Sequence, residues 1–229
     1  MTGGSGIGTP VLGSPNSLTE FRTSILATLK DTGVKYDNTT IDEALRRVLN
    51  EYSRAFPDFV TATITLTASG RSVSCPSQTD LIVIITLIHP YVSTLLDPYI
   101  YKREDYRLIW SAGVPQLYFS GADIPQSGEK IYLEYGRAQK IHDLDSASAT
   151  TVKLDHKQIL ITGAAGQAAM IRSQSLNEQW GGKAGEMPNL MQWGSVLYRQ
   201  FQDYLKQIRQ ELNINPFTKS TWKLDKWDK

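Results

Sequence analysis

"TIDEALRRVLNEYSRAFPDF" spans residues 40–59, and its reading decides the fold. Ile41, Leu45, Val48, Leu49 and Tyr52 recur at steps of three and four, while Arg46, Arg47, Glu51 and Arg54 fall mostly elsewhere. That spacing predicts a helix with one apolar stripe. Thr40 and Glu43 read as a capping box that opens it. Pro57 drives Phe56 out of the helical region and closes it. Beyond Pro57 the apolar period turns from helical to alternating and stays so for about ninety residues.

Downstream, "VTATITLT" (60–67) alternates and is β-branched, Gly70 marks a turn, and "SVSCP" follows. "LIVIITLI" (81–88) carries no charge and predicts a strand buried on both faces. "YIYKREDYRLIW" (99–110), "QLYFS" (116–120) and "KIYLEYG" (130–136) add strands, separated by "SAGVP" and "GADIPQSGE" turns. Upstream, "SLTE" predicts a first helix capped by Ser17 with Glu20 reaching back. Leu18, Phe21, Ile25 and Leu29 form its stripe, and Gly33 ends it.

Helical periodicity returns near Asp155. Gly163, Ala164, Ala165, Gly166, Ala168 and Ala169 make this helix thin. Each glycine costs about 1 kcal/mol of helix propensity, which close packing against a neighbour would offset. "GGKAGEMP" (181–188) is a loop. The last helix has the stripe Leu190, Trp193, Leu197, Phe201, Leu205, Ile208 and Leu212, and ends at Asn213–Pro216.

The bulk composition narrows the function. A chain of 229 residues, 41% hydrophobic and 21% charged, builds a real core. A net charge of +1 supplies no global field for nucleic acid or an anionic membrane. The one cysteine, Cys75, excludes an intramolecular disulfide and fits a reducing compartment. Residues 1–16, rich in Gly, Ser, Thr and Pro, read as a flexible arm rather than a signal peptide. Gly4, Gly6 and Gly8 have neither the preceding strand nor the following Lys-Ser/Thr of a phosphate loop. "LIVIITLI" is far shorter than the roughly 20 residues of a membrane helix, so a soluble protein is expected.

Chemistry-bearing motifs are absent. His89, His142 and His156 have no second ligand at helical spacing, so no metal is expected, at "HDLD" (142–145) or elsewhere. Cys75 stands beside a proline with no basic neighbour and reads as a buried structural thiol. Neither a nucleophile elbow nor a zinc-protease pair occurs. Adjacent carboxylates such as Asp42/Glu43 and Glu104/Asp105 point different ways. No catalytic residue and no cofactor is assigned. "KREDYR" (102–107) mixes cations and acids, as an interface or a protected sheet edge does. The eleven tyrosines suit contacts between proteins as well as a β-rich core.

The tail "FTKSTWKLDKWDK" sets Phe217, Trp222, Leu224 and Trp227 among lysines and aspartates. So short a segment builds no core of its own. Either it folds back on its parent domain or it docks on another chain, where tryptophan is an efficient anchor.

The order of elements resembles the head-tail adaptor (connector, or head-completion) proteins of tailed bacteriophages. Ile41, Ala44, Leu45, Val48, Leu49, Tyr52, Ser53 and Pro57 follow that family's pattern of helix, Tyr-Ser, Pro and then strands. Trp110, Leu117, Phe119, Pro125, Gly128, Ile131 and Tyr135 look like its strand module. His142, Leu144 and Thr150-Thr151-Val152 lead into the alanine-rich helix, as in the family. The likeness runs over about residues 17–213 and is one of pattern, since no single motif is diagnostic. The long β insert, the glycine-rich loop at 181–188 and the N-terminal arm depart from it.

The resemblance implies an α+β fold: a bundle of about four helices (17–57 with 151–213), a β-rich insertion (58–150) between the second and third, and a tail (214–229). It further implies a homo-oligomeric ring, commonly of twelve copies, in the virion neck, assembled in the host cytoplasm. Such a ring contacts the portal protein above and a tail or stopper protein below, with genomic DNA passing its lumen unread. Phe217, Trp222, Leu224 and Trp227 are then the portal-binding residues. The rival readings are a tail-completion or tail-proximal virion protein and a small hydrolase with a dispersed site.

Overall fold

The change of period at Pro57 is a change of architecture. The computed structural model describes residues 16–75, 78–92, 105–121, 124–178 and 186–211. Helices α1 (Leu18–Thr28) and α2 (Asn38–Ala55) precede strands β1 (Asp58–Thr65), β2 (Ser72–Ser74), β3 (Leu81–Ile88), β4 (Tyr106–Ser111), β5 (Val114–Phe119) and β6 (Lys130–Arg137). Helices α3 (Lys157–Glu178) and α4 (Glu186–Glu211) follow. The fold is α+β, with the β region between the second and third helices. Two compact units divide the chain: Met1–Leu49 with Lys140–Tyr204, and Asn50–Gln139 with Leu205–Lys229.

In the first unit, α1 buries Leu18, Phe21, Ile25 and Leu29, and α2 buries Ile41, Ala44, Leu45, Val48 and Leu49, as their spacing requires. The caps differ from expectation. Ser17 makes no side-chain cap, and Glu20 accepts the N–H of Asn16 at 2.7 Å instead of that of Ser17. Extended backbone at Ser17 sends the chain into a parallel bridge with His142. Helix α2 starts ahead of Thr40: Asp37 Oδ1 accepts the Thr40 N–H at 2.8 Å, so Asp37 is the cap. Helix α1 stops before Gly33. Lys30 takes φ 52°, Asp31 N–H bonds Leu26 O at 3.0 Å and Lys30 N–H bonds Ala27 O at 3.1 Å. Those crossed bonds form a Schellman motif and satisfy the last carbonyls.

Polar ties join the helices of this unit. Arg22 grips Asp42 with two parallel bonds, Nε–Oδ1 at 2.8 Å and Nη2–Oδ2 at 2.6 Å. Both side chains are largely covered, and the fork geometry makes this stronger than a single exposed pair. Lys157 Nζ lies 2.7 Å from Glu20 and over the Phe21 ring. Arg172 covers the Tyr36 ring and donates to Lys35 O.

The small residues of α3 serve the close approach that their size predicts. Ala164, Ala165, Ala168 and Ala169 are buried. A β-carbon added at Gly166 would stand 2.8 Å from Gly194 O and from Tyr198 N; one at Gly163 would stand 2.7 Å from Phe201. Helices α3 and α4 thus meet backbone to backbone. This contact rotates α4 away from the expected stripe. Phe201, Leu205 and Ile208 are buried, but Gly194 sits at the crossing and Trp193 is exposed.

The second unit is a sandwich of two three-stranded antiparallel sheets, β1-β6-β3 and β2-β5-β4. Val73, Cys75, Leu117 and Phe119 of one face share a core with Leu81, Leu87, Ile131, Leu133 and Tyr135 of the other. Each large apolar side chain fully buried there contributes about 1.5–3 kcal/mol. Ala112 and Gly113, both at positive φ, form the two-residue turn of the β4–β5 hairpin. Arg137 pairs with Asp58 across β1 and β6 at 2.8 Å. Beyond β6, Gln139 N–H bonds Ser53 Oγ at 3.0 Å and its amide bonds Phe56 O at 3.0 Å, which closes the end of α2.

Strand β3 departs from its expected burial. It is an edge strand, and two register shifts, between Leu81 and Val83 and between Ile84 and Thr86, break its alternation. Ile82 is consequently 36% exposed and Ile85 49%.

Candidate interaction surfaces

The edges of the sandwich set the first surface. Strand β3 borders one sheet and β4 borders the other. Between them lies a groove of about 440 Å³, lined by Ile82, Val83 and Ile84 on one wall and Tyr106, Arg107, Leu108 and Ile109 on the other. Ile109 and Trp110 of β4 are exposed. Among the described residues the lining has one charged side chain, Arg107, and no carboxylate, imidazole or thiol. Such a lining suits apolar side chains. Of "KREDYR", Tyr106 and Arg107 lie on the edge strand β4 and Asp105 just precedes it; residues 102–104 lie outside the described residues.

The second surface is on α4. Trp193, Val196 and Tyr204 stand at helical spacing, and Val196 and Tyr204 are about half exposed, at 50% and 48%. Their stripe flanks the buried side of the helix.

Two of the three histidines stand beside carboxylates. His89 is buried, its Nε2 2.8 Å from Glu129 Oε2 and its ring beside Phe119. His142 Nδ1 lies 2.8 Å from Asp143. Neither pair is among the residues that line the groove. Asp145 of "DLD" pairs with Arg46 at 2.8 Å, and no group of three metal-ligating side chains occurs among the described residues. Burial pushes the Cys75 thiol up to about 11, as for an inert structural cysteine. Among the described residues no helix is long and apolar enough to cross a membrane. Phe217, Trp222, Leu224 and Trp227 lie outside the described residues, as do the arm at 1–15 and most of the 181–188 loop.

Neither surface is read from periodicity. The signal for the groove is the charge-free "LIVIITLI" itself: a run with no polar face needs cover on both sides, and at a sheet edge the fold supplies only one. The signal for the α4 face is Gly194, which marks the contact side one position away from Trp193.

No family model matches the chain, and no curated protein matches it. Among solved structures, it is similar to a chain from the neck of an empty GTA particle computed with C6 symmetry, at 16% identity over 77% of this chain and 87% of that one, with a TM-score of 0.31. A chain from the neck of a native GTA particle computed with C12 symmetry has 18% identity over 81% of this chain and 91% of that one, also with a TM-score of 0.31. At that TM-score the two superpositions carry neither a fold nor a function across.

Proposed function

We propose that this chain is a structural protein of a phage-type neck: copies form a ring that joins the portal of the DNA-filled head to the tail or the next neck protein, and DNA passes through the lumen. One observation carries the reading. Two helices, a β region and two helices follow one another in the order that the adaptor resemblance implies. Each unit has an exposed apolar surface, the groove in one and the α4 face in the other, which suits a subunit that neighbours cover.

In this reading the protein transforms no molecule. The helices give a rigid body, the sandwich a wall, and the tail reaches the portal through Phe217, Trp222, Leu224 and Trp227. Repetition around the ring multiplies contacts that are weak one at a time. A lumen without excess positive charge lets the genome slide.

Mass in solution, with and without portal rings, tests the assembly; a ring that forms on the portal is the expected result. Deleting residues 214–229 is expected to leave a folded subunit that no longer attaches to portal-bearing heads. Unimpaired attachment of the truncated chain removes the tail's role, and a chain that stays monomeric on those heads removes the ring.

A further inference from the structure

The two exposed apolar surfaces differ in shape: the β3–β4 groove is concave and the α4 stripe convex. We propose that the stripe of Trp193, Val196 and Tyr204 seats in the β3–β4 groove of a second copy of this chain. The inference rests on the self-assembly part of the ring reading and names the seam.

The dimensions agree. Eleven helical steps from Trp193 to Tyr204 run about 16 Å. The five steps of β4 from Tyr106 to Ser111 run about 17 Å, and β3 is longer. From their exposed fractions, the stripe and the groove with its rim each offer roughly 300 Å² of apolar side chain, a large share of it aromatic. With the polar rim a contact surface normally carries, the seam removes on the order of 1,000 Å² from water, near the lower limit of a specific interface. A seam of that size is weak in one pair and strong when a ring closes.

The charges agree too. Among the described residues Arg107 is the charged residue that lines the groove. Asp203 precedes Tyr204 at the margin of the stripe and brings a carboxylate to it. Among the described residues β3 is an uncharged edge strand, a feature that native proteins cover, because apolar edges recruit other chains.

Since the two faces differ, the contact is heterologous. Each copy offers its stripe to one neighbour and its groove to the next, so additions close into a ring or run on as a filament.

Cross-linking tests the seam. Cys75 is buried, so full-length Val196→Cys and Ile109→Cys proteins each present one accessible thiol. They are mixed on portal-bearing heads and treated with a short bis-maleimide, with mass measured in parallel. The expected product is the mixed 196–109 dimer, and the double variant alone should give ladders. Arg107→Glu should lower the cross-linked yield at least several-fold, and Arg107→Glu with Asp203→Arg should restore it. Assembled copies that give no mixed dimer, or only 109–109 dimers, overturn the seam and leave the ring reading standing. Chains that stay monomeric on the heads overturn both.

Discussion

A β-carbon on Gly166 would stand 2.8 Å from the carbonyl oxygen of Gly194, and one on Gly194 would stand 2.8 Å from the carbonyl oxygen of Gly166. The obstacle on each side is backbone, which cannot swing away as a side chain does. Alanine at either position gains about 1 kcal/mol of helix propensity. Overpacking at such a crossing costs about 1–3 kcal/mol, and here two helices must separate. Gly166→Ala and Gly194→Ala are therefore expected to lower stability by up to about 2 kcal/mol net, measured by urea denaturation. Gly163→Ala meets the Phe201 ring instead, and a smaller loss is expected. A stabilised Gly166→Ala protein would contradict the close crossing.

The cap of α2 supplies a second test. Asp37 Oδ1 accepts the Thr40 N–H, whereas "TIDE" places the cap on Thr40. Asp37→Ala should destabilise the protein by about 1 kcal/mol, and Thr40→Ala by distinctly less. The opposite order in thermal denaturation would restore the capping box at Thr40.

Much of the fold was legible for one reason: burial on a single face leaves a period in the sequence. Ile41, Leu45, Val48 and Tyr52 on α2, and Val60, Ala62 and Ile64 facing the core from β1, obey it. What was not legible depends on which neighbour arrives. Trp193 and Gly194 are adjacent on α4, and only the approach of Gly166 decides which of them is buried. In the same way "LIVIITLI" states that it is apolar, but two register shifts and an edge position decide which isoleucines are exposed. The surfaces assigned here are these two departures from period, so periodicity alone finds neither. The tail residues were legible as anchors by composition alone, without a place.

Acid should weaken the first unit through carboxylates that include Glu20 and Asp37. The Lys157 ammonium, and then the Asn16 N–H, hold Glu20 below the usual carboxylate range. The Thr40 hydroxyl, and then its backbone N–H, do the same for Asp37. A carboxyl whose folded pKa lies below its unfolded value stabilises fully above the unfolded value, about 4, and loses that contribution as pH falls through the folded one. The melting temperature should hold steady down to about pH 5 and then fall. Glu20→Gln combined with Asp37→Asn, which keeps a capping oxygen, should flatten that fall and cost stability at neutral pH. An unchanged acid limb in the double variant would show that other groups carry it.

Cys75 reports on the sandwich. Its thiol is fully buried, pushed up to about 11 by burial, with Sγ 3.9 Å from Val73 O. With so high a pKa, roughly one thiol in ten thousand is ionised at pH 7, and the reagent cannot reach that fraction while the sheets stay packed. Labelling by an aromatic disulfide in native buffer should therefore be slow and should wait on opening of the core. In urea the rate should climb with the loss of β structure seen by circular dichroism. A charged residue at Leu117, which shares this core, should speed native labelling by opening the same packing. Fast, complete labelling of the folded wild-type chain would mean that the two sheets do not close over Cys75.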